Sequence, residues 1–376
     1  MRILHIASFN GNIGDNASHI GLRNILKTLG VIATIDQIEI RRFYKNYSLF
    51  DKQSFDEDFV KMANQYDLVV FGGGGFLDYW VPNSETGTTI DISLDLFQQL
   101  LVPVLFTSIG CIPHKEVPEG NVEKFSRFVN AILEKKNAAL AVRNDGSKII
   151  LKSVLGETIA CKIPQLLDNG FFYKSHRKFS RITDGKYIAI NVTKDQLLMK
   201  NQTIGEVNTE HFNQQLRLYI DTIIKNTNLN IVFIPHIFSD LEAIQHALRG
   251  INDYLIRTRV IIAPYIQGNY GCEYLMSIYR EADYIVGMRF HACVCALAQG
   301  KSIAGLAALD RIKYMCQSVG AGNYVVDINS DFAQLLYERT INHLKNGQER
   351  VITESIISKK KETLGFYNNI FREFLS

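Results

Sequence analysis

The chain has 376 residues, 47% hydrophobic and 21% charged, enough for one very large domain or two of the common ~150-residue size, and too apolar for a disordered chain. Lys and Arg number 41 against 38 Asp and Glu, a net charge of +3, and that balance argues against nucleic acid as a main partner because duplex binders concentrate cations. Six cysteines without a CxxC pair or zinc-spaced Cys/His cluster exclude a disulfide framework and a structural zinc site, so reduced cytoplasmic thiols and no metal are expected.

The chain opens on a short strand at 2–8, too brief and too soon polar for a signal peptide. Further strands are expected at 34–40, 67–71, 102–108, 138–143, 186–192, 230–234, 259–263, 283–287 and 323–327. Helical stripes alternate with them: Val122, Phe125, Val129, Ile132 and Leu133 share one face, as do Phe212, Leu216, Tyr219, Ile220 and Ile223. The uncharged stretch 96–113 contains glutamines and prolines and reads as a helix end followed by a buried strand, not a transmembrane span. Runs such as Leu68-Val69-Val70-Phe71 are apolar on both faces, which parallel sheets covered by helices require. The fold class is therefore α/β. A charged passage at 171–186 divides the strands about evenly, so two Rossmann-like halves are expected: 1–178, 179–350 and a terminal helix 351–376 that packs across both.

Ligands of open α/β sheets bind at the carboxyl ends of strands, so the residues after each strand are the candidates. Asn10-Gly11-Asn12-Ile13-Gly14-Asp15-Asn16 precedes a helix; Asp15 or Asn16 is either its N-cap or a ligand contact. Gly72-Gly73-Gly74-Gly75 with Asp78 follows the strand at 67–71. Four glycines there are hard to explain by packing, and close backbone approach of Gly73, Gly74 and Gly75 to a ligand is expected. The spacing matches neither a dinucleotide nor a P-loop motif. Arg143 closes a strand and either meets an anionic ligand or forms an ion pair. In the second half, Pro235-His236 ends a strand with Asp240 beyond it, and Gly287-Met288-Arg289-Phe290-His291 enters an apolar helix, a concentrated anion site to which Lys313 adds a third cation.

Taken in order, Gly14-Asp15-Asn16-Ala17, the four glycines with Asp78, Val142-Arg143-Asn144, Pro235-His236 and Arg289-Phe290-His291 followed by Lys313 resemble the polysaccharide pyruvyl transferase family over about residues 10–320. The resemblance implies a glycosyltransferase-B-like fold with a cleft between its domains. It also implies an enzyme of exopolysaccharide biosynthesis that moves the pyruvyl unit of phosphoenolpyruvate onto a sugar as a ketal and releases phosphate. Under it, Arg289 and His291 lie in the phosphoenolpyruvate site on the C-terminal side, with Arg143 and Lys313 for carboxylate and phosphate. Asn16, Gly73, Gly74, Gly75 and Asp78 bind substrate. His291 is the acid or phosphate-site donor, and Asp15 or His236 is the base. Three positions depart from the family pattern: Asn144, Pro164-Gln165 with Asp168 displaced, and Asp310.

Phosphoenolpyruvate is then a co-substrate and no cofactor is needed. The acceptor is a cell-surface polysaccharide or a lipid-linked or nucleotide-linked precursor. The expected location is cytoplasmic, and a lipid-linked acceptor would bring peripheral contact with the inner membrane face. Two rivals remain at this level: a nucleotide-sugar glycosyltransferase of the same fold, and a catalytically idle sugar- or phosphate-binding protein.

Overall fold

The computed structural model of the chain describes residues 1–199, 206–347 and 350–375. Among the described residues twelve strands form two parallel six-stranded sheets. The first contains β1 (Arg2–Ala7), β2 (Thr34–Glu39), β3 (Leu68–Gly74), β4 (Val104–Ile109), β5 (Ala138–Arg143) and β6 (Gln165–Leu166), in the order β2-β1-β3-β4-β5-β6. The second contains β7 (Tyr187–Asn191), β8 (Asn230–Phe233), β9 (Val260–Ile262), β10 (Tyr284–Gly287), β11 (Ile303–Leu306) and β12 (Val325–Val326), in the order β12-β11-β10-β7-β8-β9. That second order is the dinucleotide-fold order. It reverses between β7 and β10, as the first sheet reverses between β1 and β3, and at such points adjacent crossovers leave in opposite directions and open a crevice.

The expected strands all form, and two more appear. Ile303–Leu306 and Gln165–Leu166 are too short, and the former too rich in Gly and Ala, to stand out as β-like runs; pairing with β10 and β5 makes them strands. The two helical stripes are also present. In Asn121–Glu134 the buried face is carried by Phe125, Phe128, Val129 and Ile132 while Val122 is exposed. In Thr209–Asn226 it is Phe212, Leu216, Tyr219, Ile220 and Ile223, and Asn208 caps the first turn by accepting the His211 N–H. Each such side chain contributes about 1.5–3 kcal/mol on burial.

The contacts divide the chain into two units: Met1–Phe9, Leu22–Asn169 and Lys359–Ser376 in the first, Asn10–Gly21 and Gly170–Ser358 in the second. Against the boundary expected at residue 178, residues 170–178 and Asn10–Gly21 group with the second unit, the latter for a reason visible below at Gly14. The terminal helix Arg350–Leu375 contributes residues to both units. Within the first unit, its Tyr367 is fully buried and hydrogen-bonded to Thr107 (2.6 Å) and Asn169 (2.7 Å). The core of that unit is aromatic, with Phe71 stacked on Phe106 and Phe43 on Phe55. Among the described residues no helix is long and apolar enough to cross a membrane.

Candidate functional site

In the second unit, β10 runs into Met288 and Arg289, and a helix begins at Phe290 (Phe290–Ala298). The Arg289 N–H donates to the side-chain oxygen of Asn191 (2.9 Å), the last residue of β7, so this turn is fixed at the reversal point of the sheet. Arg289 is 6% exposed and its guanidinium is surrounded by acceptors: Nε donates to Asp240 Oδ2 (2.9 Å), and Nη2 to Asp240 Oδ1 (2.6 Å), Asp195 Oδ1 (2.7 Å) and Thr193 Oγ1 (2.8 Å). Burial works against its charge, yet Asp240 and Asp195 outweigh burial and raise its pKa above the ordinary guanidinium value. Arg289 is held by two carboxylates, because an unpaired guanidinium at this depth would be costly.

His236 lies beside this network. It is fully buried, its Nε2 lies 2.8 Å from the Tyr279 hydroxyl, and its backbone N–H donates to Asp240 (2.9 Å). Burial, with Arg289 and His291 nearby, lowers its pKa well below the usual value, so it stays neutral. Its geometry supports the Asp240–Arg289 network and does not present a solvent-facing base.

The helix Ile13–Thr28 starts earlier than expected, so Gly14, Asp15 and Asn16 lie in its first turns and the cap is Asn12, whose side chain accepts the Gly14 N–H (3.0 Å). Gly14 packs directly on His291: a Cβ there would stand 2.7 Å from His291 Cβ and 2.8 Å from Nδ1. Asp15 Oδ1 lies 3.8 Å from His291 Nδ1, with both side chains largely buried. Two helix first turns therefore meet, with a carboxylate–imidazole pair between them. Both belong to the second unit, which is why Asn10–Gly21 groups there. Asn16 is buried near Asn269 (3.4 Å). Lys313 is half-buried on the helix Asp310–Ser318 of the same unit, and no ion pair of its side chain is found among the described residues.

The remaining candidates lie in the first unit. Arg143, 3% exposed, bonds through Nε to Asp145 Oδ2 (2.6 Å) and lies 3.7 Å from Asp168 Oδ2. Burial again works against the charge, and Asp145 and Asp168 raise the pKa despite it. Of the two readings open for Arg143, the ion pair is the one found. Asp168 also accepts from the Ser108 hydroxyl (2.9 Å), and its N–H donates to Asn144 Oδ1 (2.9 Å), so two of the departures from the family pattern bond to each other. Ser108 has φ +50°, a backbone strain that non-glycine residues seldom carry outside functional regions.

The four glycines have causes within the fold as well as the expected approach to a ligand. A Cβ on Gly72 would lie 1.8 Å from the Thr107 carbonyl oxygen of the neighbouring strand, one on Gly74 2.5 Å from the Phe76 ring, and one on Gly75 2.8 Å from the Asp78 carboxylate. Gly73 has φ +89°. Asp78 is thus folded over the glycine turn. Sequence reasoning did not single out Asp145, Asp195, Thr193 or Asn191; Asp145, two residues past Arg143 at a strand end, was the one local signal. Among the described residues no group of three or more His, Cys, Asp or Glu is arranged to hold a metal ion.

Two parallel Rossmann-like units with charged clusters at strand ends define a glycosyltransferase-B-like protein. Solved structures of that kind align along the whole chain: a putative UDP-N-acetylglucosamine 2-epimerase from Listeria monocytogenes (TM-score 0.58, 10% identity, 98% of this chain and 94% of that one); a glycosyltransferase from Rickettsia africae (0.55, 11%, 100% and 98%); and an S. aureus MnaA-UDP co-structure (0.53, 13%, 98% and 97%). At such identities they establish the fold alone. No curated protein matches the chain. The polysaccharide pyruvyl transferase family model matches residues 12–308, and the chain belongs to that family. It is a transferase of polysaccharide pyruvylation.

Proposed function

We propose that the chain transfers the pyruvyl unit of phosphoenolpyruvate to two hydroxyls of a sugar in a cell-surface polysaccharide or its precursor, forming a cyclic ketal and releasing phosphate. The observation that carries this reading is the meeting of two helix first turns at Gly14-Asp15 and Phe290-His291, beside the reversal point of the second sheet. Helix N-termini favour carboxylate and phosphate oxygens, and phosphoenolpyruvate has both.

His291 protonates the methylene carbon, and positive charge develops at the adjacent carbon, where the Asp15 carboxylate stabilises it. One acceptor hydroxyl bonds to that carbon and its proton passes to the Asp15 carboxylate, from which the paired His291 imidazole is reprotonated. The second hydroxyl then displaces phosphate, and its proton leaves with the phosphate. Lys313 supplies the cation for the donor's anionic groups. Arg289, already bonded to Asp240 and Asp195, positions the turn that bears His291, and Arg143 holds its own strand end through Asp145 and Asp168.

The test is acceptor-dependent phosphate release from phosphoenolpyruvate by the purified chain, with the ketal identified by mass. His291→Ala is expected to lower kcat by about 10²–10⁴-fold, the usual worth of general acid–base catalysis. Consumption of a nucleotide sugar in place of phosphoenolpyruvate, or unchanged turnover in His291→Ala, overturns the reading.

A further inference from the structure

The segment after β3 contains Trp80, the only tryptophan of the chain, in a stretch whose polar groups are satisfied from within. Ser84, Thr86 and Thr88 are fully buried: the Ser84 hydroxyl donates to the Thr88 carbonyl (2.7 Å), Thr86 to the Ile90 carbonyl (2.7 Å), and the Thr86 and Thr88 hydroxyls lie 2.9 Å apart. The buried Asn121 amide donates to the carbonyls of Tyr79 (3.1 Å) and Val81 (2.9 Å), pinning the backbone on both sides of Trp80. The Val81 N–H closes the loop onto the Gly87 carbonyl (3.0 Å). A loop tied by buried hydroxyls holds its shape without a ligand, and that preorganisation lowers the ordering cost of binding.

Trp80 and Tyr44 line a cavity of about 310 Å³, with Lys45, Asn46, Asp91 and Lys115 among its polar groups. These residues follow β2, β3 and β4, so the cavity lies at the carboxyl edge of the first sheet, where open α/β sheets take ligands. Its volume is at the low end of the ~300–1,000 Å³ of small-molecule sites, room for one sugar ring rather than an oligosaccharide. The Lys115 ammonium lies 4.0 Å from the centroid of the Trp80 ring, and Lys45 Nζ lies 2.6 Å from Asp91 Oδ2. Two cations against one carboxylate leave a net positive charge beside an aromatic face.

We infer that this cavity is a subsite for a single pyranose bearing a carboxylate or phosphate, its apolar face stacked on Trp80 and its anionic group on Lys115. This goes beyond the pyruvyl-transfer reading, and where that reading holds the ring is a glycosyl unit of the acceptor.

Because Trp80 is the sole tryptophan, its fluorescence reports this cavity alone. Glucuronate and N-acetylglucosamine 1-phosphate, titrated into the full chain without phosphoenolpyruvate, are expected to change its emission saturably in the millimolar range, with glucose binding at least about tenfold more weakly. Lys115→Gln, at an exposed position, is expected to weaken the anionic sugars about tenfold, as loss of one charge-assisted hydrogen bond implies. No saturable change with either anionic sugar, an equal response to glucose, or unaltered affinity in Lys115→Gln overturns the inference. The titration involves no turnover, so its failure leaves pyruvyl transfer standing, and failure of phosphate release leaves the subsite standing.

Discussion

Replacing Asp240 by Asn keeps the shape of the side chain and removes the charge facing a nearly fully buried Arg289. Asp240 is 0% exposed, accepts from Arg289 Nε and Nη2, and also receives the backbone N–H groups of His236 and Ile237. Breaking one partner of a buried ion pair costs about 3–5 kcal/mol because the other charge is left uncompensated. Asp195 remains at 2.7 Å, which places Asp240→Asn near the lower end, about 3 kcal/mol. The Asp195 side chain is 34% exposed, so solvent screens it and Asp195→Asn is expected to cost about 1 kcal/mol or less. Urea unfolding of both variants, with unchanged m-values, measures the difference directly. If Asp240→Asn falls within about 1 kcal/mol of the unmodified chain, or if Asp195→Asn is the more damaging change, the buried network does not hold this turn and the argument fails.

Gly14→Ala brings a methyl group to 2.7 Å from His291 Cβ; the unfolding midpoint should shift modestly, since helix propensity offsets part of an overpacking cost of about 1–3 kcal/mol, while a displacement of His291 by about 1 Å lowers phosphate release roughly 10²-fold. Wild-type turnover in that variant would count against a role for His291. Burial lowers the pKa of His5 to about 4, so between about pH 6.5 and 4 the unfolded chain binds the proton that the folded one refuses, and stability falls with pH by about 3 kcal/mol from this group. His5→Gln, which can still donate to the Gly72 carbonyl, should lose that share of the acid sensitivity, and an identical pH profile of unfolding would refute it. Among the six cysteines only Cys161 is exposed, and burial pushes the thiols of Cys111, Cys293 and Cys316 up. Iodoacetamide should therefore add one group to the native chain, at Cys161 and slowly, because the Glu157 carboxylate raises that thiol as well; mass analysis showing another cysteine modified before unfolding contradicts this.

Much of this molecule is legible in the order of its residues. Apolar runs such as Leu68 to Phe71 fix buried parallel strands, and the 3.6-residue stripe from Phe212 to Ile223 fixes a covering helix. These signals are local, so a linear reading recovers them, and the ordered motifs place the chain in its family. Tertiary structure decided the rest. Arg289 is legible as a strand-end cation, but only the fold brings Asp240 and Asp195, 49 and 94 residues away in sequence, onto it. The run of glycines is visible in the sequence, but only the packed sheet shows that the Thr107 carbonyl of the adjacent strand leaves no room for a Cβ on Gly72. Gly14 and His291 lie near opposite ends of the family motif, yet the packed helix turns press one against the other. Periodicity specifies which face of an element is buried; it does not specify which distant carboxylate will satisfy a buried charge, because that depends on where the sheet order brings strand ends together.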